Sequence, residues 1–166
     1  MKAPKRYEEA KLSDLPPSVA IALNIQDVKP KPSFYLFGDI GTGKTHAAWA
    51  FVSQFDESKF RVLNVPNMLS SFRPDNLQDS DMSPDEIKDF EGYIVLDDLG
   101  VEKMSDWVSE NLYKIVNHRY EHKLPTVVTS NLSLGEMSNH LGDRITSRLA
   151  EMCQVVELSG KDRRLD

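Results

Sequence analysis

The feature that most constrains this chain is a glycine-rich stretch at residues 38–45, GDIGTGKT, which fits the pattern G-x-x-x-x-G-K-[ST]. Glycine lets backbone N–H groups turn onto an anion because no Cβ blocks the approach. An apolar strand pattern at 33–37 precedes this stretch and a helical pattern at 46–52 follows it, the order that aims a helix N-terminus at phosphate. Lys44 can place its charge on the β- and γ-phosphates, and the Thr45 hydroxyl can ligate Mg²⁺. We therefore predict a nucleotide site made of Gly38, Asp39, Ile40, Gly41, Thr42, Gly43, Lys44, Thr45 and His46. The alternative is a glycine-rich turn that binds nothing.

The composition favours a globular protein of the cytosol. The chain has 166 residues, 40% of them apolar, which is enough for one domain with a core. It contains no apolar run of membrane-spanning length and no secretory signal, so we expect a cytoplasmic location and no membrane partner. Cys153 is the single cysteine, as expected in a reducing compartment. The net charge of −6 argues against strong non-specific binding of the isolated domain to nucleic acid.

Strand patterns alternate with helical patterns along most of the chain. We predict strands at 34–37, 61–65, 93–97, 126–130 and 154–158, and helices at 18–24, 105–122 and 133–150. Alternation of this kind predicts an α/β fold, with a five-stranded parallel sheet and helices on both faces. Residues 1–32 carry five prolines and form an irregular N-terminal segment, and residues 33–166 form the main domain. An acidic stretch at 74–91 is interpreted as a solvated loop with a short helix from Pro84, capped by Ser83 and Glu86.

Polar residues follow two of the predicted strands. Asp97 and Asp98 end the strand at 93–97, where the first can hold Mg²⁺ opposite Thr45 and the second can orient an attacking water. Asn131 follows the strand at 126–130 and can bond to a γ-phosphate oxygen and to that water. Simpler interpretations remain open: the acids begin a turn, and Ser130 and Asn131 cap the next helix.

Two arginines lie four residues apart near the end of the chain. Arg144 and Arg148 fall on one helical face, and a planar guanidinium suits the charge that develops on a γ-phosphate. Such an arginine from a neighbouring subunit can raise the rate by about 10³–10⁵. On spacing alone, pairing with Asp143 or Glu151 on an exposed helix is the better explanation of the two arginines.

Together these motifs resemble AAA+ ATPases of the DnaC-type helicase-loader group, close to IstB-type transposition helpers and to the initiator DnaA. The resemblance covers residues 5 to 164 and rests on 38–45, 60–69, 94–100, 117–121, 128–132 and 142–149. It implies a P-loop AAA+ core in which Lys44 and Thr45 belong to Walker A and Asp97 and Asp98 to Walker B. It further implies that Asn131 is sensor 1 and that Arg148 is the arginine finger, with Arg144 the weaker candidate.

The resemblance implies an Mg-ATP-dependent ATPase of DNA replication, with a replicative helicase or another DNA-processing protein as partner and self-association when ATP is bound. An IstB-type transposition helper, an ATP-gated binding module with vestigial hydrolysis and a small-molecule kinase are the alternatives. Asp98 stands where AAA+ proteins usually carry glutamate, which implies slow turnover. No helicase-binding domain and no α-helical lid are seen in the sequence, so we expect either an excised module or a different partner.

Three further stretches leave alternatives open. In initiator-type relatives the region after the second strand contacts single-stranded DNA, which makes Ser70, Ser71 and Arg73 candidate phosphate contacts. Arg163 or Arg164 could serve as a sensor-2 residue, although a solvated tail is the simpler interpretation. Residues 118–122 spell H-x-x-E-H, a zinc-protease pattern that we assign to an ordinary helix because no further ligand is marked.

Overall fold

The computed structural model describes residues 3–25, 29–73 and 82–160, and its centre is a parallel β-sheet. The five strands are β1 (Ser33–Phe37), β2 (Phe60–Asn64), β3 (Tyr93–Leu99), β4 (Thr126–Ser130) and β5 (Cys153–Glu157). Their order is β2-β3-β4-β1-β5, and every neighbouring pair is parallel. All five predicted strands are confirmed, with boundaries that agree to within one or two residues.

Seven helices flank the sheet in the described residues. They are α1 (Pro17–Leu23), α2 (Lys44–Val52), α3 (Val65–Ser71), α4 (Pro84–Asp89), α5 (Asp106–Glu121), α6 (Leu134–Leu141) and α7 (Asp143–Met152). The capping box of Ser83 and Glu86 at the start of α4 is confirmed, whereas residues 74–81 of the acidic stretch lie outside the described residues. The tail at 161–166, with Arg163 and Arg164, also lies outside them.

The sheet is covered on both faces. Alternate side chains of a strand point to opposite faces, so Phe34 and Leu36 of β1 join one buried cluster with α1 and α2. Tyr35 joins the other cluster, which includes residues of α3 to α7. Burial on both sides explains why the strands are nearly continuous apolar runs, and the predicted fold class is confirmed.

The N-terminal segment packs against the same core. Ala10, Leu15, Val19 and Leu23 are buried in the cluster that contains α2. Short 3-10 turns at Lys5–Tyr7 and Leu12–Asp14 precede α1. The division of the chain at residue 33 stays a prediction. Among the described residues, no helix has both the length and the apolar character needed to cross a membrane.

The single helix predicted at 133–150 is wrong. Gly142 has φ +83° and ψ 161°, which ends α6 and begins α7. A Cβ at this position would meet nothing within 4 Å, so the backbone conformation and not crowding favours glycine here. The suggestion that Ser130 and Asn131 cap this helix is also wrong, because Ser133 accepts the N–H of Glu136 and forms the cap of α6.

The H-x-x-E-H pattern covers the last turn of α5 and its C-cap residue, His122. The rings of His118 and His122 stack with centroids 4.0 Å apart, and His118 Nε2 lies 2.9 Å from Asp89 Oδ1. Within the described residues no group of three His, Cys, Asp or Glu side chains is arranged to hold a metal ion.

Candidate nucleotide-binding site

The glycine-rich loop joins the end of β1 to the start of α2. Gly41 and Gly43 have φ of +81° and +94°, values that residues with a Cβ rarely adopt. Gly38 has no room for a side chain, since a Cβ there would lie 2.1 Å from the carbonyl oxygen of Leu158. Lys44 and Thr45 are the first two residues of α2. The loop therefore presents the positive end of that helix to the cleft beside it.

Lys44 is drawn into the centre of the loop. Its side chain is buried, and Nζ donates to the carbonyl oxygens of Gly38 at 2.8 Å and Asp39 at 2.7 Å. Thr42 supports the same turn, because its hydroxyl donates to the carbonyl of Asp39 at 2.9 Å. The cleft is lined by six residues of the predicted nucleotide site: Ile40, Gly41, Gly43, Lys44, Thr45 and His46. The other three, Gly38, Asp39 and Thr42, stabilise the loop through the hydrogen bonds above.

Asp97 at the end of β3 faces the Thr45 hydroxyl. Oδ1 of Asp97 accepts from Thr45 Oγ1 at 2.9 Å and from Thr129 Oγ1 at 2.6 Å. Burial raises the pKa of the Asp97 carboxyl, the charge of Asp98 adds to this rise, and the two threonine hydrogen bonds and Lys44 oppose it. A hydroxyl and a carboxylate oxygen at this separation suit a hard cation such as Mg²⁺, which needs few protein ligands.

Asp98 has an unusual backbone conformation. Its φ is +60°, a left-handed value that aspartate tolerates better than most residues, and the β3–β4 register shifts between Leu96 and Leu99. Its N–H donates to Thr129 Oγ1 at 2.9 Å, and its Oδ2 accepts from Asn64 Nδ2 at 3.2 Å. The kink turns Asp98 into the cleft, where it is a lining residue.

Asn131 follows β4 and lines the same cleft. The residues on either side hold it in place: Ser130 Oγ donates to the carbonyl of Leu99 at 2.7 Å and accepts the N–H of Leu132 at 3.0 Å. The Tyr35 hydroxyl donates to the carbonyl of Leu132 at 2.8 Å. Burial raises the pKa of Tyr35 to about 12, so the phenol keeps the proton that it donates.

The cleft has a volume of about 360 Å³, and three of its lining residues were not identified from the sequence. Arg6 and Tyr7 of the N-terminal segment form one wall, and Val101 contributes from the loop after β3. The Tyr7 ring stacks on Trp49 with centroids 6.3 Å apart, which fixes it against α2. No local pattern in residues 1–32 indicates this contact. Asn64 was also missed, although its position at the end of a predicted strand is a usable signal.

The structure does not place the two arginines of α7 in this cleft. Arg148 contacts side chains of α5, and Arg144 is exposed on the same face. Neither arginine is among the lining residues of the cleft.

The stretch predicted to contact single-stranded DNA covers α3 and the residues after it. The Ser71 hydroxyl donates to the carbonyl of Met68 at 2.7 Å within the helix. The Arg73 guanidinium lies 5.2 Å from the centroid of the Trp107 ring. These contacts order the end of α3.

A family model described as IstB-like ATP binding protein matches residues 13–166, nearly the whole chain. The chain belongs to the IstB-like ATP-binding protein family. Among its relatives, the replicative helicase loader DnaI of Bacillus subtilis (strain 168) is 26% identical over 146 residues, which cover 78% of this chain and 47% of DnaI. The replicative helicase loader DnaC of Escherichia coli (strain K12) is 28% identical over 122 residues, covering 70% of this chain and 49% of DnaC. The chain thus spans about half the length of the curated relatives it matches.

The fold of this IstB-like chain matches that of a solved helicase loader. The crystal structure of the DnaC helicase loader superimposes with a TM-score of 0.77 at 23% identity, covering 94% of this chain and 100% of that one. The resemblance to the helicase-loader group is therefore confirmed at the level of family and fold.

Proposed function

We propose that this IstB-like protein is an Mg-ATP-dependent ATPase that acts in DNA replication as a helicase loader. One observation carries the proposal: polar residues that follow or end the three neighbouring strands β3, β4 and β1 lie together at one cleft. The loop after β1 brings Lys44 and Thr45, β3 brings Asp97 and Asp98, and Asn131 follows β4. Ligands of open parallel sheets bind at the carboxyl ends of the strands.

Each group has a separate task in this proposal. The loop amides and Lys44 hold the β- and γ-phosphates, and Thr45 with Asp97 would hold Mg²⁺, which supplies charge neutralisation. Asp98 orients the attacking water, and Asn64 fixes Asp98 through the bond to its Oδ2. Asn131 bonds to the γ-phosphate. The N-terminal segment, through Arg6 and Tyr7, closes one side of the cleft.

Arg148 of a neighbouring copy completes the site. This role is proposed because the guanidinium lies outside the cleft of its own chain and because the sequence resemblance implies an arginine finger at this position. It requires that ATP promote self-association. The helicase-loader relatives support a replicative helicase as the partner. An IstB-type transposition helper is the alternative that the family match supports.

Binding is tested by calorimetry with Mg-ATP on the parent chain, Lys44→Ala and the control Lys114→Ala. A hydrogen bond to a charged group contributes about 1.5–3 kcal/mol, so Lys44→Ala should bind about 10–100 times more weakly. Lys114 is exposed on α5 and paired with Glu110, so its variant should match the parent. No heat of association in the parent, or equal affinities for all three proteins, would refute the site.

Hydrolysis is tested by single-turnover assays with Asp98→Asn. This variant should bind ATP like the parent but hydrolyse it at least about a hundredfold more slowly, as expected when the group that orients water is lost. Equal rates for the two proteins would exclude Asp98 from the reaction. Size-exclusion chromatography with the replicative helicase of the same cell, with and without ATP, tests the partner.

A second candidate is an ATP-gated binding module in which hydrolysis is vestigial. Asp98 is one methylene shorter than glutamate, and Asn64 holds one of its oxygens at 3.2 Å. If this candidate is right, the parent binds Mg-ATP and associates with the helicase, yet its turnover is no faster than that of Asp98→Asn.

A further inference from the structure

The guanidinium of Arg148 is held in one orientation by its own chain. Nε donates to Asn117 Oδ1 at 2.6 Å, Nη1 donates to the carbonyl of Arg144 at 2.7 Å, and Nη2 donates to the Tyr113 hydroxyl at 3.3 Å. The group also lies over the rings of Tyr113 and Tyr120, 5.1 and 5.7 Å from their centroids. An arginine has five N–H donors, and among the described residues three of them have an acceptor and two do not.

Arg144 differs from Arg148 in how it is held. Its guanidinium lies 4.4 Å from the centroid of the Tyr113 ring, and the side chain is exposed. A ring face attracts a cation without fixing its rotation, whereas a hydrogen bond to Nε does fix it. Of the two arginines, Arg148 alone has a side-chain acceptor on another helix among the described residues.

We propose that Asn117 is a positioning residue for Arg148. Its carbonyl oxygen sets the direction in which the guanidinium leaves α7, so that the two remaining N–H groups face the γ-phosphate of a neighbouring copy when the copies associate. This inference rests on the proposed role of Arg148 in a shared site. A guanidinium ordered before association does not have to be ordered during the reaction, and misplacement by about 1 Å can cost about a hundredfold in rate.

A purely structural role for Asn117 makes a different prediction. The bond between Asn117 and Arg148 also joins α5 to α7, but Leu112 and Val116 of α5 and Ile145 and Leu149 of α7 are buried in one apolar cluster. The two helices therefore also pack through these apolar side chains, which the loss of this bond leaves in place. A structural residue would change unfolding, whereas a positioning residue changes hydrolysis at a site on another chain.

The experiment compares Asn117→Ala, Asn117→Asp and Asn111→Ala in single-turnover hydrolysis at saturating Mg-ATP. Asn111 is a matched control because it is half-buried on the same helix and its amide donates to the carbonyl of Trp107. We expect Asn117→Ala to hydrolyse ATP about 10–100 times more slowly with unchanged nucleotide affinity and midpoint of unfolding. Asn117→Asp keeps an acceptor for Nε and should retain most of the rate, and Asn111→Ala should match the parent.

Mixing shows whether the defect acts on the neighbouring chain. The Asp98→Asn chain still carries Asn117 and Arg148, whereas the Asn117→Ala chain still carries Asp98. In a mixed assembly, Arg148 of an Asp98→Asn chain should therefore restore hydrolysis in the neighbouring site of an Asn117→Ala chain. Failure of this rescue, or an Asn117→Ala rate equal to that of Asn111→Ala, overturns the inference. Arg148→Ala in the same mixtures distinguishes a failure of the shared site from a failure of the positioning role of Asn117. If Arg148→Ala behaves like the parent, the shared site itself is wrong; if it is slow and rescued while Asn117→Ala is fast, only the positioning role is wrong.

Discussion

Arg119 on α5 is predicted to be the most costly side chain to truncate outside the cleft. It is fully buried and, by volume, the largest fully buried side chain of the described residues. It donates within 3.1 Å to Thr126 Oγ1 and to the carbonyl oxygens of Ile87, Phe90, Gly92 and Pro125. Burial lowers the pKa of its guanidinium to about 10, which still leaves it charged at neutral pH.

The magnitude follows from the acceptors that Arg119→Met would leave behind. The carbonyl of Pro125 keeps the N–H of Ile94 at 3.2 Å as a second donor. The carbonyls of Ile87, Phe90 and Gly92 would each cost about 1–3 kcal/mol without a donor. Methionine avoids the several kcal/mol needed to bury a charge, which offsets part of this cost. We expect a net loss of about 3–5 kcal/mol, the range for breaking a buried charged contact.

The assays are urea unfolding, for the free energy, and thermal unfolding, for the melting midpoint, both monitored by tryptophan fluorescence and far-UV circular dichroism. A loss of about 3–5 kcal/mol corresponds to a fall of about 10 °C in the melting midpoint for a chain of this size. Arg61→Met is the matched control, because Arg61 also donates to two carbonyls, of Glu57 and Phe60, but is only partly buried. It should lose less than about 1 kcal/mol. Equal losses for the two variants would refute the reasoning from buried acceptors.

Three other predictions concern the candidate site and the residues that support it. Burial raises the pKa of Asp97, and Mg²⁺ binds only the ionised carboxylate. As the pH is lowered, Mg²⁺ affinity should therefore begin to fall at a higher pH than it would with an ordinary aspartate. Magnesium titrations at several pH values measure this. Gly38→Ala should lose about 1–3 kcal/mol in urea unfolding, since its Cβ would lie 2.1 Å from a carbonyl oxygen. Gly135→Ala has open space and should gain about 0.5–1 kcal/mol. Asn64→Ala should change the single-turnover rate without changing ATP affinity, because its amide contacts Asp98 and lies outside the residues that line the cleft.

The sheet could be predicted because burial on both faces leaves a strong local signal. The strands β3 and β4 are apolar runs that end in polar residues, and those residues gather at one edge as parallel strands require. The glycine-rich loop is similarly local in sequence, because its eight residues form one pattern of Gly, Lys and Thr, although Gly38 also lies against the carbonyl of Leu158 and Thr45 bonds to Asp97. Predictions of this kind depend on short-range sequence alone.

The features that sequence reasoning missed depend on contacts between distant residues. Arg6 and Tyr7 reach the cleft because the N-terminal segment packs on α2, which no periodicity in that segment shows. Helix periodicity continued through Gly142, and only the backbone conformation there separates α6 from α7. The contact between Asn117 and Arg148 joins residues 31 positions apart on two helices whose faces can be predicted but whose mutual placement cannot.

The Asn64 side chain joins the proposed DNA-contacting helix to the proposed catalytic acid. Its Oδ1 accepts the N–H of Asn67 in the first turn of α3 at 3.3 Å, and its Nδ2 donates to Asp98 Oδ2 at 3.2 Å. Because one planar amide makes both bonds, a shift of α3 must either carry the Asp98 carboxylate with it or break one bond. The Asp98 backbone is fixed separately by Thr129, so only the carboxylate can follow. In the proposed reaction, a ligand that moves α3 would therefore act on hydrolysis through the direction of the Asp98 carboxylate.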